Sequence, residues 1–187
     1  MRRMIEMPFE LITNVQLNKK PLDITSQLQS NNFVVVMSSR YVQLAQKILA
    51  RYGADSNFNG ITKVCRLVEA EKDRVTVEFE VDKSMTNSWN TLHGGCTASL
   101  VDMITTTAIL TNDRNEQQHP GVSVDLKVSY CTAAKLGETV VLDAIIEKFG
   151  RSLVFTRADL RTKDNSRLIA TAQHIKAFTK PPTKSTE

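Results

Sequence analysis

The sequence predicts an α+β domain in which an antiparallel sheet surrounds one long, buried helix. Three observations carry this prediction: an almost uncharged apolar run over residues 92–110, six strand-like segments, and turn residues between those segments. The chain has 187 residues, 41% of them hydrophobic, which suits one domain with a sizeable core. The pattern alone leaves open another α+β sandwich with the same elements.

The first helix is predicted to follow an N-terminal extension, because residues 1–38 lack a sustained hydrophobic period. Ser39 is a suitable N-cap for this helix, and Gly53 is expected to stop it. Two strands are then predicted over residues 61–70 and 74–81, joined by a charged turn.

The central helix is predicted over residues 92–110, a run rich in Ala, Leu, Ile and Thr. Asp102 is its only acidic residue, so we expect the helix to be buried nearly all round. Gly137, Gly150 and the Asp164-Asn165 pair mark turns between the remaining strands. These four strands are predicted over residues 122–130, 139–148, 153–161 and 167–178. The domain therefore spans residues 39–180, and residues 181–187 form a loose tail.

Charge and cysteine content argue against several classes of protein. The net charge is +4 and the basic residues are scattered, whereas nucleic-acid-binding proteins typically carry a dense basic stripe. The three cysteines form no close pair and no zinc-binding spacing, so we expect a reducing compartment and no metal site. No apolar run approaches the roughly 20 residues that cross a bilayer. The sequence thus predicts a cytoplasmic protein without a nucleic-acid partner or a transmembrane segment.

Mitochondrial import is the alternative location. Arg2 and Arg3 are typical of a transit peptide, but Glu6, Glu10 and Asp23 are not, since such peptides are poor in acidic residues.

The beginning of the central helix is the segment with the clearest potential for chemistry. Gly94 and Gly95 lower helix stability, and one use for adjacent glycines is close approach of the backbone to a ligand. The first amides of a helix are unpaired donors with partial positive charge, which suits a carbonyl oxygen that gains negative charge. A tight loop without a ligand is the other explanation.

Asp102 is the second candidate, because a lone carboxylate in an apolar helix is costly to bury without partners. Functional sites are one place where such groups occur. The structural alternative is that the hydroxyls of Ser99 or Thr106, about one turn away, hold the carboxylate. The residue pattern leaves both explanations open.

Short motifs from about Ser39 to Phe178 occur in the order and spacing of a known family. They are Thr86-Asn87, Thr91-Leu92-His93-Gly94-Gly95, Leu100-Val101-Asp102, Pro120-Gly121-Val122-Ser123-Val124-Asp125, Ala134-Lys135-Leu136-Gly137-Glu138 and Leu168-Ile169-Ala170. With these motifs the chain resembles the small eukaryotic hotdog-fold acyl-CoA thioesterases, the type called thioesterase superfamily member 2 or acyl-CoA thioesterase 13. It is also similar to the related bacterial phenylacetyl-CoA thioesterases.

The resemblance implies a hotdog fold and hydrolysis of acyl-CoA, expected to be medium- to long-chain, to free acid and coenzyme A. It implies no cofactor beyond the coenzyme A of the substrate. Asp102 would be general base or nucleophile, and Ser123 would position the water. Asn87 and His93 would orient the thioester or the water, while the Gly94 amide would polarise the carbonyl. The implied coenzyme A contacts are Gly95, Asp125, Tyr130, Lys148, Phe149, Gly150, Arg151, Ser152 and Leu153.

Two other functions are compatible with a hotdog fold. A non-catalytic acyl-CoA-binding protein would be expected to lose Asp102 or the glycine pair, and both are present. A hydratase or dehydratase would be expected to carry a carboxylate and a histidine together in the helix, whereas His93 precedes Asp102 by more than two turns.

The sequence departs from the family's pattern in three places, none of them at an implied catalytic residue. The loop over residues 112–120 is longer, Cys131-Thr132-Ala133 replaces a proline-containing turn, and residues 1–38 have no counterpart.

Helix geometry predicts that two chains share the site. Gly94 and Asp102 are eight residues apart, which is about 12 Å along a helix axis. A base and an oxyanion donor must both lie close to one carbonyl, so a single helix cannot easily supply both. Two antiparallel copies around a two-fold axis would bring the groups together. The resemblance independently implies this homodimer, and a dimer of dimers.

Overall fold

The computed structural model describes residues 39–178, so the predicted extension over residues 1–38 and the tail over residues 181–187 lie outside the described part. The elements in chain order are α1 (Arg40–Ala54), a 3-10 helix (Phe58–Val64), β1 (Arg66–Glu71), β2 (Arg74–Glu80), a 3-10 turn (Lys83–Met85), α2 (Gly94–Thr111), β3 (Val122–Tyr130), β4 (Thr139–Phe149), β5 (Leu153–Thr162) and β6 (Leu168–Ala177).

The first helix begins as predicted and ends slightly later. The Ser39 hydroxyl accepts a hydrogen bond from the Val42 amide at 3.3 Å, which confirms the N-cap. The prediction that Gly53 stops the helix is wrong, because α1 continues to Ala54. A Cβ at position 53 would lie 3.2 Å from the Lys63 Cα, so this glycine lets the 3-10 helix approach α1.

The strand predicted over residues 61–70 is wrong in its first half, which belongs to the 3-10 helix Phe58–Val64. Two side chains stabilise the turn there. The Asn57 carboxamide accepts from the Asn59 amide at 2.9 Å, and the Thr62 hydroxyl donates to the Asn59 carbonyl at 2.9 Å. Local side-chain hydrogen bonds of this kind compete with an extended strand.

The six strands form one antiparallel sheet with the order β1-β2-β4-β5-β6-β3. The prediction for β3 is confirmed residue for residue, and those for β4, β5 and β6 differ by one residue at an end or at both. β1 and β3 are the edge strands of this sheet. α2 contacts β2, β3, β4, β5 and β6, so the α+β prediction is confirmed.

The central helix is buried along its second half but not at its start. Between Leu100 and Thr111 every residue except Asp102 is buried, as predicted. The prediction is wrong for the first turns, where Gly95 is exposed and Ala98 is half-buried. The side chains there are small, so little apolar surface requires cover. Among residues 39–178, no helix is long and apolar enough to cross a membrane.

Candidate active site

The Asp102 carboxylate lies where α2 meets β3 and β6. Its side chain keeps 39% of its accessible surface, although its neighbours on the helix are buried. Four groups surround one of its oxygens, Oδ1: the Thr106 hydroxyl at 3.3 Å, the Lys176 ammonium at 3.3 Å, the Ser123 hydroxyl at 3.5 Å and the His174 Nε2 at 3.6 Å. Within the described residues, no side chain bonds the other oxygen, Oδ2. Neighbouring side chains therefore hold Oδ1, whereas Oδ2 has no side-chain partner among these residues.

The structural alternative for Asp102 is half correct. Thr106 does donate to the carboxylate, whereas the Ser99 hydroxyl donates to the Gly95 carbonyl at 2.8 Å. A serine or threonine in a helix commonly bonds the carbonyl one turn back, and Ser99 follows that preference.

His174 on β6 was not predicted as a site residue, and it is fully buried. Its Nδ1 lies 2.7 Å from the Thr105 hydroxyl oxygen, and its Nε2 lies 3.0 Å from the Ser123 hydroxyl oxygen. The Thr105 hydroxyl has one hydrogen, which it donates to the Val101 carbonyl at 2.7 Å. This network assigns the His174 proton to Nδ1, so Nε2 accepts the hydrogen of Ser123.

Burial is the main reason why the pKa of His174 is lowered to about 4. The Asp102 and Asp125 carboxylates oppose this shift, and the Lys176 ammonium adds to it. The imidazole is therefore neutral near pH 7, and its 3.6 Å approach to Asp102 is not an ion pair at that pH.

This lowered pKa predicts acid sensitivity of the fold. Between the ordinary histidine pKa of 6.5 and about 4, the unfolded chain binds the His174 proton more readily than the folded one. The contributed stability is thus fully present above the ordinary value and is lost as pH falls through this window. We expect urea unfolding midpoints, followed by circular dichroism, to decline over the window, and to decline less in His174→Gln. Equal pH dependence in both proteins would contradict the assignment.

Lys176, also on β6, is the second site residue that sequence reasoning missed. It is 5% exposed, and its ammonium donates to the Thr106 hydroxyl at 2.7 Å as well as to Asp102. The sequence did contain a signal for both residues, because strand alternation puts His174 and Lys176 on the buried face of β6. The residues at these alternate positions are Ala170, Ala172, His174 and Lys176.

The beginning of α2 forms a separate group of side chains. The His93 Nδ1 accepts from the Gly95 amide at 2.9 Å and so caps the helix. The Tyr130 hydroxyl donates to the Gly94 carbonyl at 2.8 Å. A Cβ at Gly94 would lie 3.2 Å from the Tyr130 ring, and one at Gly95 would lie 3.1 Å from the His93 ring. The glycine pair therefore accommodates two of the chain's own side chains.

Asn87 organises the loop that leads to this helix. Its Oδ1 accepts from the amides of Trp89 at 3.0 Å and Thr91 at 3.3 Å, and its Nδ2 lies 2.9 Å from the Thr91 hydroxyl oxygen. The backbone of Asn90 has a positive φ of 56°, a conformation that asparagine tolerates better than most residues. The side chain of Asn87 thus shapes the loop that positions the first amides of α2.

The structure brings the predicted catalytic residues together in two groups rather than one. Asp102 and Ser123 form one group, while Gly94 and His93 belong to the other, beside Tyr130, an implied coenzyme A contact. Along β3, the seven steps from Ser123 to Tyr130 span about 23 Å. A thioester carbonyl therefore cannot contact both groups of one chain.

Comparison with known proteins places these residues in a family. The model of the family described as thioesterase superfamily matches residues 90–169, which include both Gly94 and Asp102. Human acyl-coenzyme A thioesterase 13 is 43% identical over 120 residues, which are 64% of this chain and 84% of the relative. The chain belongs to the thioesterase superfamily. The predicted enzyme class, a thioester hydrolase, is confirmed.

Solved structures confirm the hotdog-type α+β fold of this thioesterase. Zebrafish thioesterase superfamily member 2 is 37% identical, with a TM-score of 0.71, and the match covers 75% of this chain and 100% of that one. The Escherichia coli PaaI protein from the phenylacetic acid degradation operon is 15% identical, with a TM-score of 0.58 over 73% of this chain and 96% of that one. At that identity the likeness concerns the fold alone.

The segment implied to bind coenzyme A is the turn between β4 and β5, at the Ser123 end of the sheet. Gly150 is required there, because a Cβ would lie 2.7 Å from the Leu153 carbonyl oxygen. Leu153 pairs with Ala177, which in turn pairs with Val122. Lys148, Arg151, Ser152 and Leu153 are exposed, Phe149 is half-buried, and Asp125 is exposed on β3. Tyr130 and Gly95 lie at the other end, so one chain does not unite the implied contacts.

The longer loop over residues 112–120 packs on this turn. The Arg114 guanidinium donates to the Phe149 carbonyl at 3.0 Å. His119 and Phe149 both pack against Phe178, at ring centroid distances of 5.8 and 5.4 Å. The loop that distinguishes this thioesterase therefore supports the turn. Among residues 39–178, no group of three or more His, Cys, Asp or Glu side chains is placed to hold a metal ion.

Proposed function

We propose that this thioesterase hydrolyses acyl-CoA, preferably with a medium- to long-chain fatty acyl group, to free acid and coenzyme A. The substrate class is supported by human acyl-coenzyme A thioesterase 13, a relative at 43% identity. The observation that carries the proposal is the Asp102 carboxylate, which has one oxygen held by donors and the other open. Such an arrangement suits a general base for water.

In this proposal, Oδ2 of Asp102 takes a proton from a water molecule as the water oxygen attacks the thioester carbon. The carbon–sulfur bond then breaks, and the thiolate of coenzyme A leaves and takes up a proton. Ser123 positions the water. Since its hydrogen is directed to His174 at 3.0 Å, its oxygen lone pairs are free to accept a hydrogen from that water.

The carbonyl oxygen of the thioester would bind at the beginning of α2. The Gly94 amide is the first of the helix and has no partner within it, so it can donate to an oxygen that gains negative charge. Asn87 and His93 are proposed to orient the thioester beside this amide. These donors would come from the second chain, because of their separation from Asp102.

The edge strand β3 supports a two-fold pairing of two chains. Val122, Val124 and Tyr130 are 53%, 61% and 58% exposed, and an edge with exposed apolar side chains favours pairing with another strand. If two β3 strands pair antiparallel about Leu126, the Ser123 end of one chain lies beside the Tyr130 end of the partner subunit. The Asp102 group of one chain then meets the Gly94 group of the other, and two equivalent sites result. The family resemblance extends this proposal to a dimer of dimers.

Coenzyme A would bind along the proposed contact between the two chains. Lys148 and Arg151 flank the glycine turn and can contact phosphates. Asp125 and Leu153 lie at this end of the sheet, and Gly95 and Tyr130 of the partner subunit would complete the contacts. Phe149, Gly150 and Ser152 would shape the turn.

The test is release of coenzyme A from a panel of acyl-CoAs from acetyl to palmitoyl, with a thiol reagent and without added metal. We expect release, with higher kcat/KM for the longer chains. If acyl-CoA binds but no chain length is hydrolysed, the protein is a non-catalytic acyl-CoA-binding member of the fold. Asp102→Asn, assayed in parallel, is the control for hydrolysis by a contaminating enzyme.

A further inference from the structure

Lys176 has an unusual environment for a lysine, because its side chain is 7% exposed beneath the candidate site. Burial of an ammonium is costly unless the charge is paired and hydrogen-bonded. Two groups meet this need: the Thr106 hydroxyl at 2.7 Å and the Asp102 carboxylate at 3.3 Å. Among the described residues, Asp102 is the only carboxylate within ion-pair distance of this ammonium.

The charges around Asp102 make Lys176 its counterion. From β6, His174 faces the carboxylate at 3.6 Å but is neutral near pH 7, since burial lowers its pKa to about 4. From β3, Ser123 contributes a neutral hydroxyl, and the Asp125 carboxylate adds a second negative charge close enough to act on His174. In the part of the chain that the structure describes, no charged group from α1, β2, β4 or β5 lies within ion-pair distance of Asp102.

The two polar contacts of Lys176 also orient the carboxylate. Thr106 accepts from the ammonium and donates to Oδ1 of Asp102, while the ammonium itself contacts the same oxygen. Both contacts hold Oδ1, so the free lone pairs of the carboxylate are those of Oδ2. A positive charge within a few ångströms favours the ionised form of a carboxyl group.

We propose that Lys176 is a positioning residue of this thioesterase, which is the counterion of Asp102, holds its Oδ1 and so turns its Oδ2 toward the water. This role rests on the proposed function of Asp102 as general base. Lys176 itself does not contact the substrate. It acts through the carboxylate by its charge, and Thr106 connects the two side chains.

Lys176→Gln is the sharpest test, because glutamine keeps N–H donors while it removes the positive charge. We expect the acid limb of the pH profile of kcat/KM to move upward, because the site loses the positive charge 3.3 Å from the carboxylate. Activity above the new limb should be largely retained, and Lys176→Arg, which keeps the charge, should leave the limb near its wild-type position. A uniform loss of kcat at every pH, with an unmoved acid limb, overturns the proposal.

A second measurement does not depend on turnover. In protein labelled with 13C at aspartate carboxyls, the chemical shift of Asp102, assigned by the loss of its signal in Asp102→Asn, should differ between Lys176→Gln and wild type at pH 7, because the ammonium no longer contacts Oδ1. If wild type releases no coenzyme A but this shift is seen, the proposed function fails and the pairing stands. An unshifted signal overturns the pairing whatever the activity.

If Lys176→Gln does not fold, Asp102→Asn is compared with wild type instead. The 13Cε signal of Lys176 should then differ between the two proteins, because the ammonium contacts the Asp102 carboxylate at 3.3 Å. An unchanged Lys176 signal overturns the proposal.

Discussion

Replacement of Asp102 by asparagine is expected to lower kcat/KM for acyl-CoA by about a hundredfold to ten-thousandfold, the usual contribution of a positioned general base. Asparagine has nearly the shape of aspartate but cannot accept the proton of the attacking water. We expect KM to change little, because the proposed role of Asp102 is to activate the water and not to bind coenzyme A. Steady-state kinetics across the acyl-CoA panel provide the measurement.

The structure requires one control for this variant. Asp102→Asn leaves the buried ammonium of Lys176 without its counterion, and a buried unpaired charge destabilises a fold. Circular dichroism, thermal unfolding and native mass must therefore show that the variant is folded and assembled. A folded variant that retains near-normal turnover would rule out the role of Asp102 as base.

Activity is expected to return when two inactive variants are refolded together. The variants are Asp102→Asn, which lacks the base, and Asn87→Asp, which lacks the side-chain amide donor. Aspartate at position 87 retains an acceptor for the amides of Trp89 and Thr91, so the loop keeps its Oδ contacts. If each site takes one residue from each chain, a mixed dimer contains one intact and one doubly altered site.

The expected yield follows from random pairing. About half of the dimers are mixed, so about a quarter of wild-type sites should return in an equal mixture. Refolded wild type and each variant refolded alone provide the baselines, and native mass spectrometry of differently labelled chains counts the mixed dimers. Mixed dimers without activity above either parent would show that the site is not shared between chains.

Local patterns were sufficient to predict much of the fold and part of the site. β3 was predicted residue for residue because its apolar alternation begins directly after Pro120-Gly121 and ends at Tyr130. α2 was recognisable because its apolar run contains Asp102 as its only acidic residue, which also made that carboxylate conspicuous. The contact between Asp102 and Ser123 came from the family resemblance, since 21 residues separate them in the chain.

Other features depended on contacts that no local pattern contains. Strand alternation places His174 and Lys176 on the same face as Ala170 and Ala172, but their contacts with Asp102, Ser123, Thr105 and Thr106 come only from the packing of β6 on α2 and β3. The 3-10 helix Phe58–Val64 took the place of the first part of the strand predicted over residues 61–70, because local side-chain hydrogen bonds compete with an extended backbone there. The contacts of the glycine pair with the rings of Tyr130 and His93 likewise depend on the tertiary structure.

The sequence by itself thus determined the fold class, most strand limits and the presence of one carboxylate in an apolar helix, because hydrophobic period and turn residues are local properties. Only the tertiary structure decided which groups surround that carboxylate. It places Lys176 and His174 against Asp102, at 3.3 and 3.6 Å from one carboxylate oxygen. Contacts of this kind join distant parts of the chain, and their distances are set by how strands pair and pack on the helix.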